Sequence, residues 1–525
     1  MSFPRWGNFR PKDVLRLQGL ICCCCSPPRS HFFPFFFFHP GTWPGSDHLS
    51  STMVAESNGT ETSPLLRDPE VGDRQSVKSG WRLEFSIISK YTAPLMIALL
   101  LQHALTGSSI FMVGHLGKKE IGAVSLANLT AQITGYFAFQ GLATCLDTLC
   151  PQAYGSGKLT MVGLHVQRLT LFMLVLIIPI GAMWFNADRI FLLILPDESR
   201  ETAILAGVYL RIAIIGAPGY ACFESGKRFF QAQGMFGASL IVLLVCSVLN
   251  IFMGWLFVWK LQWGFVGAPI AVAIANSLLP VFLALYVIFV DGSECWHPIS
   301  MEIWYGWGPM LRLAIPSWLM IEAEVLAWEF MTIMASRLGA TELAAQAALS
   351  TLADFAFQVS FSIAVAGGTH VAYLVGSGFL QRAATASRVM VLSSFGAGIG
   401  NMIVIFSLRG VIPGLFSDIG DVWHYIYFLL PLGAVVQISD AVATSLNSLL
   451  RAVGRPDLGS YVQLSVYYLV GLPLGVVLAF VLDWSIFGLW CGILAGQAII
   501  VLVEGFYFWK MVDWEKASQE AIERM

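Results

Sequence analysis

The sequence predicts an all-α integral membrane protein with twelve transmembrane helices arranged as two parallel six-helix repeats. The membrane assignment follows from composition: 56% of the 525 residues are hydrophobic, 12% are charged and the mean hydropathy is +0.70. The two-repeat arrangement follows from landmarks that recur along the chain at a nearly constant separation. A net charge of −3 gives no indication of a nucleic-acid partner.

The internal repeat is visible in prolines and glycines. Pro94 pairs with Pro316 (316 − 94 = 222), and the Gly-Ser-Gly run at 155–157 pairs with the same run at 376–378 (376 − 155 = 221). Repeats of this kind are typical of transporters, which place the substrate site close to the interface between the two halves. Differences between the halves are therefore informative about the site.

Twelve apolar runs are long enough to cross about 30 Å of hydrocarbon. They are 88–113, 121–146, 166–186, 203–223, 235–258, 265–290, 309–335, 343–372, 387–408, 423–446, 460–482 and 485–509. Because each half contains an even number of spans, both halves begin on the same side of the membrane. The two repeats are therefore expected to be parallel, related by an axis along the membrane normal.

The expected organisation has five parts. They are a disordered cytoplasmic tail at 1–80, an N-lobe at 85–292, an inter-lobe loop at 293–308, a C-lobe at 309–510 and a cytoplasmic tail at 511–525. Lys and Arg, with Arg451 counted among the loop charges, are more frequent on the side of the termini, which predicts that both termini are cytoplasmic. In the first tail, Met53 is an alternative start, and the run 61–66 resembles an acidic dileucine sorting signal.

Acidic residues at membrane depth are concentrated in the second half. The seventh span contains Glu322, Glu324 and Glu329, the eighth contains Asp354, and the tenth contains Asp440. Each carboxylate in a bilayer costs several kcal/mol, so each one indicates a function. Four residues near span ends, by contrast, are expected to anchor loops or to face interfacial water. They are the three acids Asp147, Glu224 and Glu504 and one histidine, His370.

The first half carries neutral residues at the matching positions. With an offset of 222, Glu324 corresponds to Gln102 and Asp354 to Gln132. With an offset of 220, Asp440 corresponds to Tyr220. The scaffold is symmetric and its charge is not. The residues expected to couple protons and to bind substrate are Glu324, Glu329, Asp440, Asp354, Gln102 and Gln132.

Carboxyl groups of this kind are suited to antiport. In a partly dry cavity a carboxyl group holds its proton more tightly than in water, and a second carboxylate nearby strengthens the effect. A proton and a cationic substrate can then compete for the same acid. On an ideal helix Glu322 and Glu329, seven residues apart, share a face, whereas Glu324 lies about 140° from Glu329. The three glutamates therefore fit one narrow cavity only if the helix bends, as Pro316 would allow. The role of Glu322 is left open.

Several runs resemble signatures of the MATE (multidrug and toxic compound extrusion) transporters, and the eukaryotic branch fits best. The similarity extends over roughly 85–515. The runs that carry it are Gly141–Gly155 with Gln167-Arg168, Phe229–Gly234, Leu450–Gly454, Tyr467–Gly475 and Gly488–Gly492.

The resemblance implies a two-lobe fold that alternates between outward-open and inward-open states. It also implies export of organic, often cationic, compounds in exchange for protons or sodium. Glu324 and Glu329 keep the five-residue spacing of the family's seventh-span glutamates, but Val325 and Leu326 stand where relatives carry two tryptophans.

Two further positions are assigned by the resemblance. Asp440 matches a tenth-span acid of the family. Thr351 stands where animal relatives carry a glutamate, and Asp354, one turn later, could replace that acid.

A sodium-coupled exporter, a flippase and a membrane enzyme are the alternatives to proton-coupled export. A sodium-coupled exporter remains open, whereas a flippase for lipid-linked precursors would need a basic cavity for phosphates. An enzyme would need a nucleophile, acid–base or metal constellation, and neither H-E-x-x-H nor G-x-S-x-G occurs. We therefore expect a non-enzymatic monomer without a cofactor, whose partners are small molecules and the bilayer, in the vacuolar or plasma membrane.

Overall fold

The computed structural model describes residues 80–114, 116–194, 200–416 and 420–524. Every regular element within these ranges is a helix. The predicted first tail, including Met53 and the dileucine-like run 61–66, lies outside the described residues. The all-α membrane fold expected from composition is confirmed by this architecture.

The α-helices follow one another along the chain with short connections. They are α1 (Trp81–Val113), α2 (Lys118–Ala131), α3 (Phe137–Ala143), α4 (Leu146–Gly155), α5 (Leu159–Phe185), α6 (Ala187–Ile194), α7 (Arg200–Ala232), α8 (Phe236–Trp255), α9 (Gly267–Phe289), α10 (Trp307–Leu338), α11 (Ala340–Ser377), α12 (Leu380–Ser407), α13 (Ile412–Phe416), α14 (Gly420–Ala452), α15 (Pro456–Val466), α16 (Leu472–Val476), α17 (Ser485–Met511) and α18 (Trp514–Glu523).

Ten helices of the described residues are long and apolar enough to cross a membrane, which makes the chain a multi-pass membrane protein. The predicted spans 121–146 and 309–335 are not among the ten. The second of these is nevertheless one continuous helix, α10, whose 32 residues extend over about 48 Å. Its three glutamates reduce its hydropathy, so the acids that suggest a function also weaken its signal as a span.

The predicted span 121–146 is interrupted rather than continuous. A π-helical turn, Gln132–Tyr136, separates α2 from α3, and a turn at residues 144–145 separates α3 from α4. The ring of Trp184 lies against Gly135, where a side chain would collide with it. The hydroxyl of Thr144 donates to the carbonyl of Gly141 (2.6 Å). Inserted side chains and local hydrogen bonds of this kind are recognised causes of helix distortion.

Buried apolar side chains form three clusters. The first lies between Ala98 and Ala314, and the third lies between Ala327 and Ile500. The second joins the beginning of α1 to α11, α12, α14 and α18. The first helix therefore packs against the C-terminal half as well as against its own half.

The two halves approach most closely on the side of the membrane domain where α1 begins and α17 ends, called the terminal side here. A Cβ atom on Gly155 would collide with the carbonyl oxygen of Tyr373, and one on Gly376 would collide with that of Gln152. The two contacts are related by the internal repeat, because 373 − 152 = 221 and 376 − 155 = 221. Only glycine permits this crossing of α4 and α11.

Hydrogen bonds and an ion pair reinforce the same side. Glu84 in α1 accepts from Arg382 (2.9 Å) and lies 2.6 Å from the Nε2 atom of His370. Thr148 of α4 donates to the carbonyl of Arg451 (2.6 Å). The terminal side is therefore closed by polar contacts between elements of both halves.

The predicted interfacial position of four residues near span ends is wrong. Asp147, Glu224, His370 and Glu504 are buried, with at most 8% of their surface exposed. Asp147 forms an ion pair with Arg228 (3.2 Å), and His370 contacts Glu84. These side chains are surrounded by helix ends packed inside the protein and not by water. The hydropathy pattern along the sequence does not distinguish a buried helix end from one that faces water.

We expect Gly376→Ala to lower the melting temperature of the detergent-purified protein, because an added methyl group forces α4 and α11 apart. Overpacking of this kind costs about 1–3 kcal/mol. Gly396→Ala is the matched control, since this helical glycine of α12 has open space around its Cβ position. Equal thermal stability of the two variants would contradict the tight crossing.

Candidate functional site

A cavity of about 200 Å³ lies between α10, α11 and α14, with α3 of the first half contributing to its wall. Four of the six predicted site residues line it. They are Glu324, Glu329, Asp354 and Asp440. Acids from three different helices, spread over 116 positions of the chain (440 − 324 = 116), thus line the same cavity.

The seventh-span glutamates separate into two groups. Glu324 and Glu329 both line the cavity, whereas Glu322 is not among its lining residues. Glu322 is 9% exposed and accepts a hydrogen bond from the indole nitrogen of Trp318, one turn earlier (3.3 Å). The structure therefore separates Glu322 from Glu329, although seven residues on an ideal helix would place the two on one face.

Glu324 and Asp440 form a pair of acids in the cavity whose carboxyl groups lie next to each other. These carboxyl groups lie within hydrogen-bonding reach of each other. Gln497 of α17 donates from Nε2 to the Oδ1 atom of Asp440 (2.9 Å), and its own carbonyl accepts from Ser439 (2.9 Å). Asp440 is only 5% exposed, so its orientation is set by these partners and not by water.

Asp354 and Glu329 form a second, more open part of the acidic surface. Asp354 is exposed and Glu329 is half-buried, and the charge of Glu329 acts on Asp354. Thr351 is exposed, donates to the carbonyl of Ala347 (2.8 Å) and is absent from the cavity lining that the structure describes. The acid on this turn of α11 that reaches the cavity is therefore Asp354.

Aromatic side chains supply the apolar part of the wall. They are Phe137, Trp328, Phe357 and Phe361. Trp328 packs edge-to-face against Trp490, with ring centroids 5.4 Å apart, and the Trp490 indole donates to Gln346 (2.9 Å). An aromatic residue is therefore present on α10 although Val325 and Leu326 replace the family's tryptophans. The sequence analysis did not single out Trp328, which lies one residue before Glu329.

Arg451 is the cation of the cavity. Because Arg451 lies near a span end, the sequence pattern predicted that it is a cytoplasmic loop charge. The side chain is instead 3% exposed and lines the cavity at its terminal-side end. The charges of Glu324, Glu504 and Asp147 all act on it. The arginine is buried because acids from both halves surround it.

The two predicted glutamines occupy a neighbouring cavity of the first half. Gln102 and Gln132 line it, and Phe137 and Gln140 are shared with the acidic cavity. Gln102 donates to the hydroxyl of Tyr220 (3.0 Å). The six predicted residues therefore lie in two adjacent cavities separated by one turn of α3.

The internal repeat relates the central pairs of the two cavities. Gln102 corresponds to Glu324 (324 − 222 = 102), and Tyr220 corresponds to Asp440 (440 − 220 = 220). Gln102 is hydrogen-bonded to Tyr220, as Glu324 is to Asp440. The same contact is thus built twice, with neutral groups in the first half and with two acids in the second.

Gln102 is also connected to a buried ionic cluster. It donates to Glu224 (2.7 Å) and accepts from Lys227 (3.0 Å). Glu224 itself pairs with Lys227 and Arg228, each at 2.7 Å. Glu224 is thus matched by two cations. In the described residues, no group of three His, Cys, Asp or Glu side chains is arranged to hold a metal ion.

Comparison with known proteins agrees with this architecture. The chain matches the MatE family model twice, over residues 94–256 and 316–477. It is 38% identical over 479 residues to an "Uncharacterized transporter" of Saccharomyces cerevisiae, covering 90% of this chain and 68% of the relative. It is 30% identical over 472 residues to "Multidrug and toxin extrusion protein 1" of Homo sapiens, covering 88% and 81%.

A solved structure supports the same assignment. The crystal structure of the eukaryotic MATE transporter AtDTX14 superimposes with a TM-score of 0.79 at 29% identity, covering 85% of this chain and 98% of that chain. The family model matches the two halves separately, in agreement with the internal repeat. The chain therefore belongs to the MATE family of multidrug and toxin extrusion transporters.

Proposed function

We propose that this transporter exports small organic, often cationic, compounds in exchange for protons by alternating access. The observation that supports the proposal most strongly is the contact between the carboxyl groups of Glu324 and Asp440 in a cavity whose other acids are Glu329 and Asp354. The family assignment supports a transporter, and the chemistry of this cavity supports the coupled ion and the charge of the substrate.

The acidic pair links proton binding to cation binding. A hydrogen bond between two carboxyl groups requires a proton on one of them. Loss of that proton leaves two negative charges close together in a poorly hydrated cavity, a state that a cation would stabilise. A cationic substrate and a proton therefore bind the pair in alternation, which is the thermodynamic requirement for antiport.

The position of the seal defines the state of the transporter. The halves meet at Gly155 and Gly376 on the terminal side. With cytoplasmic termini, as the distribution of Lys and Arg predicts, this seal separates the cavity from the cytoplasm, and the acids are reached from the opposite side. Return to the cytoplasm-facing state then requires the crossing of α4 and α11 to open.

The proposed location is the vacuolar or the plasma membrane, since either can have an acidic compartment on the side that receives the substrate. Export into an acidic vacuole or across a plasma membrane with an acidic exterior would use the same chemistry. The proposed partners are small organic molecules and the bilayer, with a monomer as the transporting unit because both cavities are built within one chain.

We expect Glu324→Gln and Glu329→Gln each to reduce proton-driven transport below about a tenth of the wild-type rate, because an amide cannot exchange a proton in the required range. Uptake of radiolabelled organic cations into sealed vesicles under an imposed pH gradient measures the effect. Asp440→Asn should behave similarly, since it removes the second acid of the pair.

Glu322→Gln is the matched control for these variants. Glu322 lies on the same helix but outside the cavity, and glutamine can still accept the hydrogen bond of Trp318. This variant should transport at close to the wild-type rate with similar expression. Near-normal transport by Glu324→Gln and Glu329→Gln would refute the assignment of these carboxyl groups.

The driving ion provides a separate test. We expect export to accelerate when the side that receives the substrate is made acidic, because an incoming proton displaces the outgoing cation from the carboxyl pair. Replacing sodium by choline at fixed pH should have little effect, provided that choline itself is first shown not to be a substrate. Transport that follows a sodium gradient and ignores a pH gradient would favour the sodium-coupled alternative.

Trp328→Ala should raise the KM for an organic cation by roughly fivefold with a smaller change in maximal rate, since a cation–π contact contributes about 1 kcal/mol. Trp328→Phe is the conservative comparison and should retain most of the affinity. An unchanged KM in the alanine variant would show that this indole does not contact the substrate.

A further inference from the structure

One buried carboxyl group is not used by the proposed exchange. Glu504 lies in α17 and has 0% of its surface exposed. Among the residues that the structure describes, no hydrogen-bond partner reaches either of its carboxyl oxygens. A buried acid without a partner is costly, and in a membrane protein it indicates a function.

The position of Glu504 relates it to the acidic pair. Gln497, which donates to Asp440, precedes Glu504 by seven residues on α17. Two complete helical turns place both side chains on nearly the same face, about 10.5 Å apart along the axis. Because α17 ends on the terminal side, Glu504 lies between the acidic pair and that side of the membrane.

The charged and titratable groups around Glu504 belong to three neighbouring elements. The charges of Glu324 from α10 and Arg451 from α14 act on it. Tyr467, in the π-helical turn after α15, is close enough to Glu504, Glu324 and Asp440 to be affected by all three charges. Glu504 is therefore electrostatically connected to the acidic pair and to the cation at the terminal-side end of the cavity.

A small polar cavity lies beyond Glu504 in the direction of the terminal side. Its volume is about 120 Å³, and Tyr507 lines it three residues after Glu504. Arg455, Asp513, Lys516 and Glu520 provide its charged lining. A proton on Glu504 would thus be one helical turn away from a polar space at the terminal side.

We propose that Glu504 is a proton relay between the Glu324–Asp440 pair and the terminal side of the membrane. This inference rests on the proposed proton exchange. The acidic pair loses one proton, which moves through Tyr467 or intervening water to a carboxylate oxygen of Glu504. The pair is left as two carboxylates that can bind a cation, and Glu504 then gives its proton to water in the terminal-side cavity.

Arg451 acts as a positioning residue in this relay. Its guanidinium group lines the acidic cavity, and its positive charge favours the carboxylate form of both Glu324 and Glu504. In the first half the repeat places apolar residues at the position of Glu504, because 504 − 221 = 283 and 504 − 220 = 284 correspond to Leu283 and Ala284. The relay therefore exists only beside the acidic cavity.

The relay is tested with Glu504→Gln, Glu504→Asp and the surface control Glu515→Gln in proteoliposomes. Two rates of tetraethylammonium movement are compared: uptake driven by a pH gradient, and counterflow between labelled and unlabelled cation at equal pH. Internal pyranine reports the accompanying proton flux. Counterflow needs the acidic pair and the conformational change but no net proton release.

We expect Glu504→Gln to lower gradient-driven uptake and proton flux by about tenfold or more while counterflow stays within about twofold of wild type. Glu504→Asp should recover a substantial part of the driven rate, and Glu515→Gln should match wild type. Equal driven rates for Glu504→Gln and wild type would overturn the relay. So would a parallel loss of counterflow and thermal stability, which would show a structural role.

The outcome also separates this inference from the proposed function. A wild-type protein that shows no coupling to a pH gradient would refute proton exchange itself, and the relay with it. A coupled wild-type protein whose coupling survives Glu504→Gln would refute only the relay.

Discussion

The contact between Glu324 and Asp440 is the interaction on which the rest of the cavity depends. Two carboxyl groups can remain together in a membrane protein only if a proton or a cation compensates their charge. Gln497 fixes Asp440 from the opposite side by a hydrogen bond of 2.9 Å, so the pair cannot relieve its repulsion by turning away. In the proposed exchange, this composition of the cavity converts a change in protonation into a change in cation affinity.

The closed terminal side complements this chemistry. Gly155 and Gly376 permit a crossing of α4 and α11 that any side chain would prevent. Glu84, His370 and Arg382 add a buried polar cluster that joins α1 to α11 and α12. A seal made of one close helix contact and a few hydrogen bonds can be broken as a unit, because losing the crossing separates the polar partners as well.

The sequence predicted the architecture well because the repeat is recorded in glycines and prolines whose roles are geometric. The pairing of 155–157 with 376–378 marks the helix ends that meet on the terminal side. Four of the five acids that the sequence placed at membrane depth line one cavity. Arg451 and Glu504 were misplaced, since hydropathy measures distance along a helix and does not show which neighbours surround its end. Trp328 was missed because an aromatic residue in a membrane helix has many ordinary roles.

Buried acids in this protein differ in the charge of the side chains that contact them, and not only in how deeply they are buried. Glu224 is fully buried, but Lys227 and Arg228 each contact it at 2.7 Å, so its charge is permanently compensated and its role is structural. Glu324 and Asp440, in contrast, are each other's partners. At the equivalent positions of the first half, Gln102 and Tyr220 form a neutral pair. In the proposed exchange, an acid whose compensating charge comes from a proton or a substrate couples their movements, and among the described residues this arrangement lies in the second half.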